Sequence, residues 1–266
     1  MGLLSRASTL DQPLNNPGLA FSDFINRHSI KACALLEKQN NNYVIANSIG
    51  FDALSILSAT STVDFWEGIC KTSGQLYNFS DSDKTQLLQL FSFNLKDSID
   101  EISVYKTSAE KILLCIGKVS EQALKDFELV SEVPHKNNYL ALNPLIKDNS
   151  VVLLFNIDFE TAVKSFYENE IQNKVVSYDA FIRSISNEVY NRFACRYSNS
   201  DTTIHNNPHS IKTVLITEKT YSVELMTQHI LLNLKEVLGK HTEEIIVSFA
   251  GTADSCDKVQ TFLQAE

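Results

Sequence analysis

The sequence predicts an α/β (α+β) protein of two lobes, each a sheet covered by helices. Three observations carry that reading. Apolar residues make up 44% of the 266 positions and charged residues 21%, a globular balance with enough apolar material for real cores. Two uninterrupted apolar runs, Lys111–Gly117 and Ser150–Phe155, read as buried strands, one in each half. Helical periodicities alternate with strands around both of them, the pattern of sheets covered by helices.

Residues 1–19 carry turn formers around Pro13 and Pro17-Gly18 without periodicity, and read as a flexible leader. The first lobe spans 20–118. It opens with a short helix through Phe21, Phe24 and Ile25, ending near His28. A hairpin follows, Ile30–Leu36 and Tyr43–Asn47, around the polar turn Lys38–Asn42. Thr62–Cys70 is expected as a helix with Trp66 in the core, Gln75–Asn78 as a short strand and Asp83–Asp97 as one amphipathic helix.

Residues 119–149 form the join between the lobes. A helix is expected over Val119–Val130, and Pro134 and Pro144 break what comes after it. The second lobe spans 150–266. After its first strand come the helices Phe159–Ile171 and Tyr178–Ala194, the latter with Phe181, Ile185, Val189 and Phe193 on one face. Ser198–Ser210 reads as a polar loop or hairpin tip, and Ile211–Thr217 as a strand. Val223–Leu238 is a helix stopped by Gly239. Glu244–Phe249 is the next strand, and Asp254 would cap a last helix through Leu263. The expected order is β-α-α-β-α-β-α, a palm-like lobe.

Net charge is −9 and no Lys/Arg stripe occurs, which excludes the usual nucleic-acid and anionic-membrane binders. The five cysteines are dispersed and odd in number, and fit buried free thiols in a reducing compartment better than a disulfide framework. Arg6 stands where a myristoylation signal wants Ser or Thr, and no run approaches the roughly 18 apolar residues of a membrane span. The expectation is a cytoplasmic protein without a cofactor.

The strand Ser150–Phe155 ends Asn156-Ile157-Asp158-Phe159, and after two helices comes Arg196-Tyr197-Ser198-Asn199-Ser200-Asp201. This resembles a GGDEF-type nucleotide cyclase domain in degenerate form. That family opens on a strand ending D-I/V-D-x-F, then runs through two helices to a hairpin carrying R-Y-G-G-D/E-E-F. The departures fall on the chemistry. Asn156 stands where the family holds a metal-binding aspartate, and an amide brings no charge to Mg²⁺. Ser198 and Asn199 replace the glycines that let the hairpin approach the nucleotide. Asp201 falls on the signature acid. Lys164 and Ser165 lie near the place of the base-contacting Asn-Asp pair. The resemblance thus implies a pseudoenzyme. The first lobe is similar in element order to GAF or PAS sensor modules.

Other constellations are weak. His205 and His209 flank Pro208, which argues against a metal-binding helix, and they read as solvated loop residues. Acids around Asp81, Asp83, Asp97, Asp100 and Glu101 lack the glycine of a Ca²⁺ loop. Phe249–Asp254 is expected as a tight strand-to-helix turn whose free N–H groups suit an anion. No G-x-S-x-G, H-E-x-x-H or phosphate-loop motif occurs.

The sequence therefore points to a non-catalytic regulatory or scaffold protein of a bacterial signalling system. Its expected partners are another protein, a second copy of itself, or a small ligand at Asn156, Asp158, Asp201, Gly251 and Thr252. Two other readings stay open: an enzyme with a site between the lobes near Asn156, Asp158 and Gly251, and a structural assembly subunit with a large exposed apolar face.

Overall fold

A computed structural model describes residues 24–125, 150–170, 176–196, 202–218 and 222–265. The expected leader 1–19, the connecting segment beyond Lys125 and Asp201 lie outside the described residues.

The first sheet grows from a hairpin. Strands β1 (Ala32–Gln39) and β2 (Asn42–Ile49) pair from Gln39↔Asn42 upward, leaving Asn40 and Asn41 as the loop. Asn40 takes φ 56°, a left-handed value that asparagine tolerates. Helix α1 (Ala53–Ala59) follows, then β3 (Ser61–Thr62) and α2 (Val63–Ile69). Asp52 caps α1 and Thr62 caps α2, each side chain accepting a backbone N–H of the first turn. Next come β4 (Leu76–Ser80), α3 (Thr85–Leu88), α4 (Phe93–Lys96), β5 (Glu101–Lys106) and β6 (Lys111–Ile116). The single helix expected over Asp83–Asp97 is instead α3 and α4. Ser92 adopts an extended backbone and caps α4, and its hydroxyl also binds the Asp52 carboxyl, so the chain breaks there. The sheet order is β3-β2-β1-β6-β5-β4, with every pair antiparallel.

Both faces of this sheet are covered. Ala32, Ala34, Leu36, Ile112, Leu114 and Ile116 belong to the main core with Trp66 and Leu87. Cys33, Leu113 and Cys115 pack on the other face with Phe24, Ala123 and Leu124, from the helical turns at 24–28 and 121–125. Double coverage is why β6 reads as a continuous apolar run.

The second sheet is built from β7 (Ser150–Asp158), β8 (Thr202–Asn207), β9 (Ser210–Glu218) and β10 (Ile246–Ala253), in the order β10-β7-β9-β8. All its pairs are antiparallel. Helices α5 (Glu160–Glu170) and α6 (Tyr178–Arg196) link β7 to β8, α7 (Val223–Leu238) links β9 to β10, and α8 (Cys256–Gln264) closes the chain. This is the palm-like split arrangement the sequence predicts. In this sheet one strand was not expected: β8 falls in the polar stretch read as a loop or hairpin tip. Its Thr202-Thr203-Ile204 start is β-branched, and pairing with β9 from Thr202↔Val214 to Asn207↔Ser210 makes it a hairpin arm. Glu244 ends a 3-10 turn (Gly239–Glu244) rather than opening a strand, and β10 runs on to Ala253.

The two sheets share one core. The largest buried cluster joins Leu36, Ile45 and Trp66 of the first half to Phe155, Ile157, Phe181 and Leu234 of the second. Helix α6 lies between them. Its apolar stripe, Phe181, Ile185, Val189 and Phe193, enters the cluster. Among the described residues no helix is long and apolar enough to cross a membrane.

Candidate functional site

Strand alternation decides where the expected ligand residues point. In β7, Leu153, Phe155 and Ile157 face the shared core, whereas Val152 and Leu154 face α8 through Val259 and Leu263. Asn156 and Asp158 continue the α8 face. They therefore point away from the seam between the halves, and a site between the lobes does not contain them.

Asp158 is exposed at the end of β7, and its Oδ1 accepts the Glu160 N–H at 2.9 Å, an Asx turn that leads into α5. Asn156 pairs with Lys212 of β9 on one side and Ser248 of β10 on the other. Its Oδ1 is buried and accepts no hydrogen bond. Lys212 is 4% exposed; its ammonium donates to the Phe262 carbonyl at 2.8 Å and to that of Ala265. It also lies 5.3 Å from the Phe262 ring centroid. Burial pulls its pKa below the ordinary lysine value. The residue directly across from Asn156 is thus a cation spent on closing the C-terminus of α8.

Gly251 and Thr252 lie inside β10 rather than in a strand-to-helix turn. The ladder skips Ala250 between Phe249↔Phe155 and Gly251↔Leu154, a β-bulge, and Gly251 takes φ 134° there. Ser255, not Asp254, occupies the cap position of α8, and Asp254 pairs with Lys258 at 2.8 Å. The free N–H groups of a loop, the reason for proposing an anion there, are therefore strand amides. His209 sits in the turn between β8 and β9, and the side chain of His205 lies outside the described residues. Among the described residues no three His, Cys, Asp or Glu side chains come together as a metal site. Cys33, Cys70 and Cys115 are buried free thiols, as composition suggests.

The densest polar constellation is one the sequence reading did not single out. Beyond Tyr43, no described strand pairs with the outer edge of β2. A polar stripe of α6 covers that edge instead. Ser184 Oγ donates to the Ile45 carbonyl at 2.5 Å, Asn187 Nδ2 to that of Ala46 at 2.7 Å, and Asn191 Nδ2 to that of Ser48 at 2.6 Å. Ala46 is the extra residue of a bulge opposite β1, which explains its free carbonyl. Glu188, fully buried, accepts from Ser48 Oγ at 2.6 Å, Gly50 N at 2.8 Å, Phe51 N at 3.1 Å and Arg192 Nε at 2.6 Å. Arg192 completes the network through Glu236 at 2.7 Å and the Phe51 carbonyl at 3.0 Å.

Ser184, Asn187, Glu188 and Asn191 recur at helical spacing, so the stripe is visible in the sequence. A sequence cannot tell a stripe facing water from one facing a strand edge. Chemically the seam has the character of a joint: its donors and acceptors are matched to one another, and it fixes α6 to the first sheet. Comparison with known proteins finds no family model that matches this chain and no curated protein that matches it.

Proposed function

We propose that the chain is a non-catalytic regulatory or scaffold protein of a bacterial signalling system. In this reading the first half is a sensor-like module of GAF or PAS type. The second half is a nucleotide-cyclase-type palm kept for binding rather than turnover. The antiparallel order β10-β7-β9-β8 supports the palm, since an all-parallel sheet would have excluded it.

The observation that carries the non-catalytic part is the pair Asn156↔Lys212. A cyclase-type site needs anionic oxygen at that strand end to hold Mg²⁺. Here the amide of Asn156 replaces the acid, and the neighbouring strand contributes a buried ammonium, which repels a divalent cation. Asp158, the remaining acid of the motif, holds the Glu160 N–H in the turn that leads into α5. The matched α6–β2 joint supports a coupling role, because a change in the first sheet is felt by α6 and so by the second. A cytoplasmic location goes with this reading, since closely spaced thiols such as Cys33 and Cys115 stay reduced there.

Incubation of the purified chain with GTP and Mg²⁺ tests the proposal. The expected result is no cyclic dinucleotide. Product formation that disappears in Asp158→Asn overturns the reading.

A further inference from the structure

We infer that Cys33 and Cys115 are a redox-sensitive pair, a dithiol in the resting chain that a peroxide converts into a disulfide across the centre of the first sheet. Neither half of the functional reading above is needed for it.

The placement comes from the ladder. Strands β1 and β6 are the two middle strands of the six-stranded sheet, and Cys33 stands directly opposite Cys115 in their register. Directly opposed residues of an antiparallel pair have Cα atoms about 4.5–5.5 Å apart, inside the span that a disulfide bridges. Their side chains leave the sheet on the same side, and the two sulfurs are already 3.4 Å apart. Bonding brings them to about 2.05 Å, a shift of less than about 1 Å for each sulfur. Cys70, by contrast, gives its thiol hydrogen to the Trp66 carbonyl at 3.1 Å in the main core.

Access is the second condition. Both sulfurs are buried, and burial beside Cys115 raises the Cys33 thiol above its ordinary value. The closed pair therefore offers little thiolate to an oxidant. Its cover is a small cluster apart from the main core, in which Phe24, Ile30, Val119, Ala123 and Leu124 pack around the two sulfurs. Phe24 comes from the helical turn at 24–28, and Ala123 and Leu124 from that at 121–125. Lifting either turn uncovers the pair while the main core stays closed, a local opening rather than unfolding. That opening sets when the thiols react.

In the first step a peroxide oxygen bonds to one sulfur as the O–O bond breaks, and the thiol proton leaves with the departing hydroxide as water. The second sulfur then bonds to the first, the S–O bond of the sulfenic acid breaks, and the second thiol proton leaves with that hydroxide as another water. The thiols lose two electrons and two protons, and hydrogen peroxide becomes two waters. The product joins residues 82 apart in sequence and closes a loop that contains β2 to β5. Such a loop restricts the unfolded chain far more than the folded one, so the oxidised form is the more stable. A thiol reductant reverses the step by exchange.

Peptide mapping of the full chain tests the pair. The protein is reduced, freed of reductant and exposed to hydrogen peroxide without denaturant. Its remaining thiols are alkylated, and it is digested without reduction for mass spectrometry. The expected product is a peptide linked through Cys33 and Cys115, two hydrogens lighter than the sum of its parts. The oxidised chain should melt roughly 5–10 °C above the reduced one, and dithiothreitol should reverse both changes. Cys115→Ala keeps a small apolar side chain in the cluster, and should show neither the link nor the rise. Cys33 and Cys115 left free by peroxide, a link that forms only in urea, a link from either to another cysteine, or an oxidised chain that melts no higher than the reduced one each overturns it.

Discussion

Glu188 on α6 accepts a hydrogen bond at 2.6 Å from Ser48 on β2, far away in sequence and on the other side of the seam between the two sheets. The carboxyl group is inaccessible to solvent, and among the described residues its donors are Ser48, Gly50, Phe51 and Arg192. A fully buried acid is tolerated only when it is paired and hydrogen-bonded. This one meets that condition and thereby specifies how α6 sits on the first sheet.

Removing one partner of such a network costs more than the network contributes. Glu188→Ala leaves the Gly50 and Phe51 N–H groups unpaired and leaves Arg192 without its nearest acid. The expected loss is about 3–5 kcal/mol. Glu188→Gln keeps the shape and the acceptor oxygen, and should lose about 1–3 kcal/mol. Urea midpoints at constant slope measure both. A loss below about 1 kcal/mol for the alanine variant means that water reaches the seam.

Two glycines of positive φ should respond differently to substitution. At Gly50, φ is 89° and an added Cβ would meet the Ala32 Cβ at 2.7 Å and the Lys31 carbonyl at 2.9 Å. At Gly251, φ is 134° and nothing lies within 4 Å of that position. Gly251→Ala therefore bears backbone strain alone, on the order of 1–3 kcal/mol. Gly50→Ala bears a similar strain plus a clash beside the Glu188 network, and its melting temperature should fall further. Equal losses in thermal melts would show that the β1 backbone gives way at no cost.

The legible parts of the fold were those where burial alone sets the residue type. The strands β6 and β7 are covered on both faces and read directly as apolar runs. Gly239 stops α7 at φ 57°, as expected. Elements held by partners distant in sequence were harder to see. β8 is a strand because β9 lies beside it, not because Thr202–Asn207 is apolar. In β5, Ile102 and Val104 alternate inward, yet the acids before them obscure the pattern. The candidate ligand residues rest on likeness to a motif, but a motif does not say which face of a sheet points at what. Only the register shows that Asn156 is opposed by Lys212 and turned toward α8.

Alkaline pH should destabilise the chain. Burial pushes the Cys70 thiol from its ordinary 9.0 up to about 11, with nearby Lys106 opposing and Glu67 adding to the shift. Burial likewise raises Cys33, Tyr43, Tyr167 and Tyr178. Each holds its proton to a higher pH in the folded chain than in the unfolded one. The folded state then binds more protons, so stability falls as pH rises. For Cys70 the contribution is complete below 9.0 and is lost by about 11. Lys212 acts in the opposite sense, its folded value lying below 10.5, but it is one group against five. Melting temperatures across that range should decline, and Cys70→Ala should flatten part of the slope. A flat profile in the wild type contradicts this.

The continuous core makes a last prediction about cooperativity. Trp66, the single tryptophan, is fully buried in α2 and reports on the first half by fluorescence. Far-UV circular dichroism reports on both halves. The main cluster holds Trp66 and Ile45 of the first half together with Phe181, Phe155 and Leu234 of the second. The α6 stripe adds polar contacts across the same seam. Opening either half alone would expose that shared apolar surface and strand Glu188 without its donors, so no half-folded state should accumulate. The two probes should give coincident urea transitions. Asn187→Leu with Asn191→Leu removes the donors that bind the Ala46 and Ser48 carbonyls, leaving the apolar face of α6 in place. In that variant the carbonyls lose their partners, the first half melts at lower urea, and the fluorescence transition moves ahead of the dichroism transition. Separated transitions already present in the wild type would instead mean that the halves fold independently and that the seam is a weak contact.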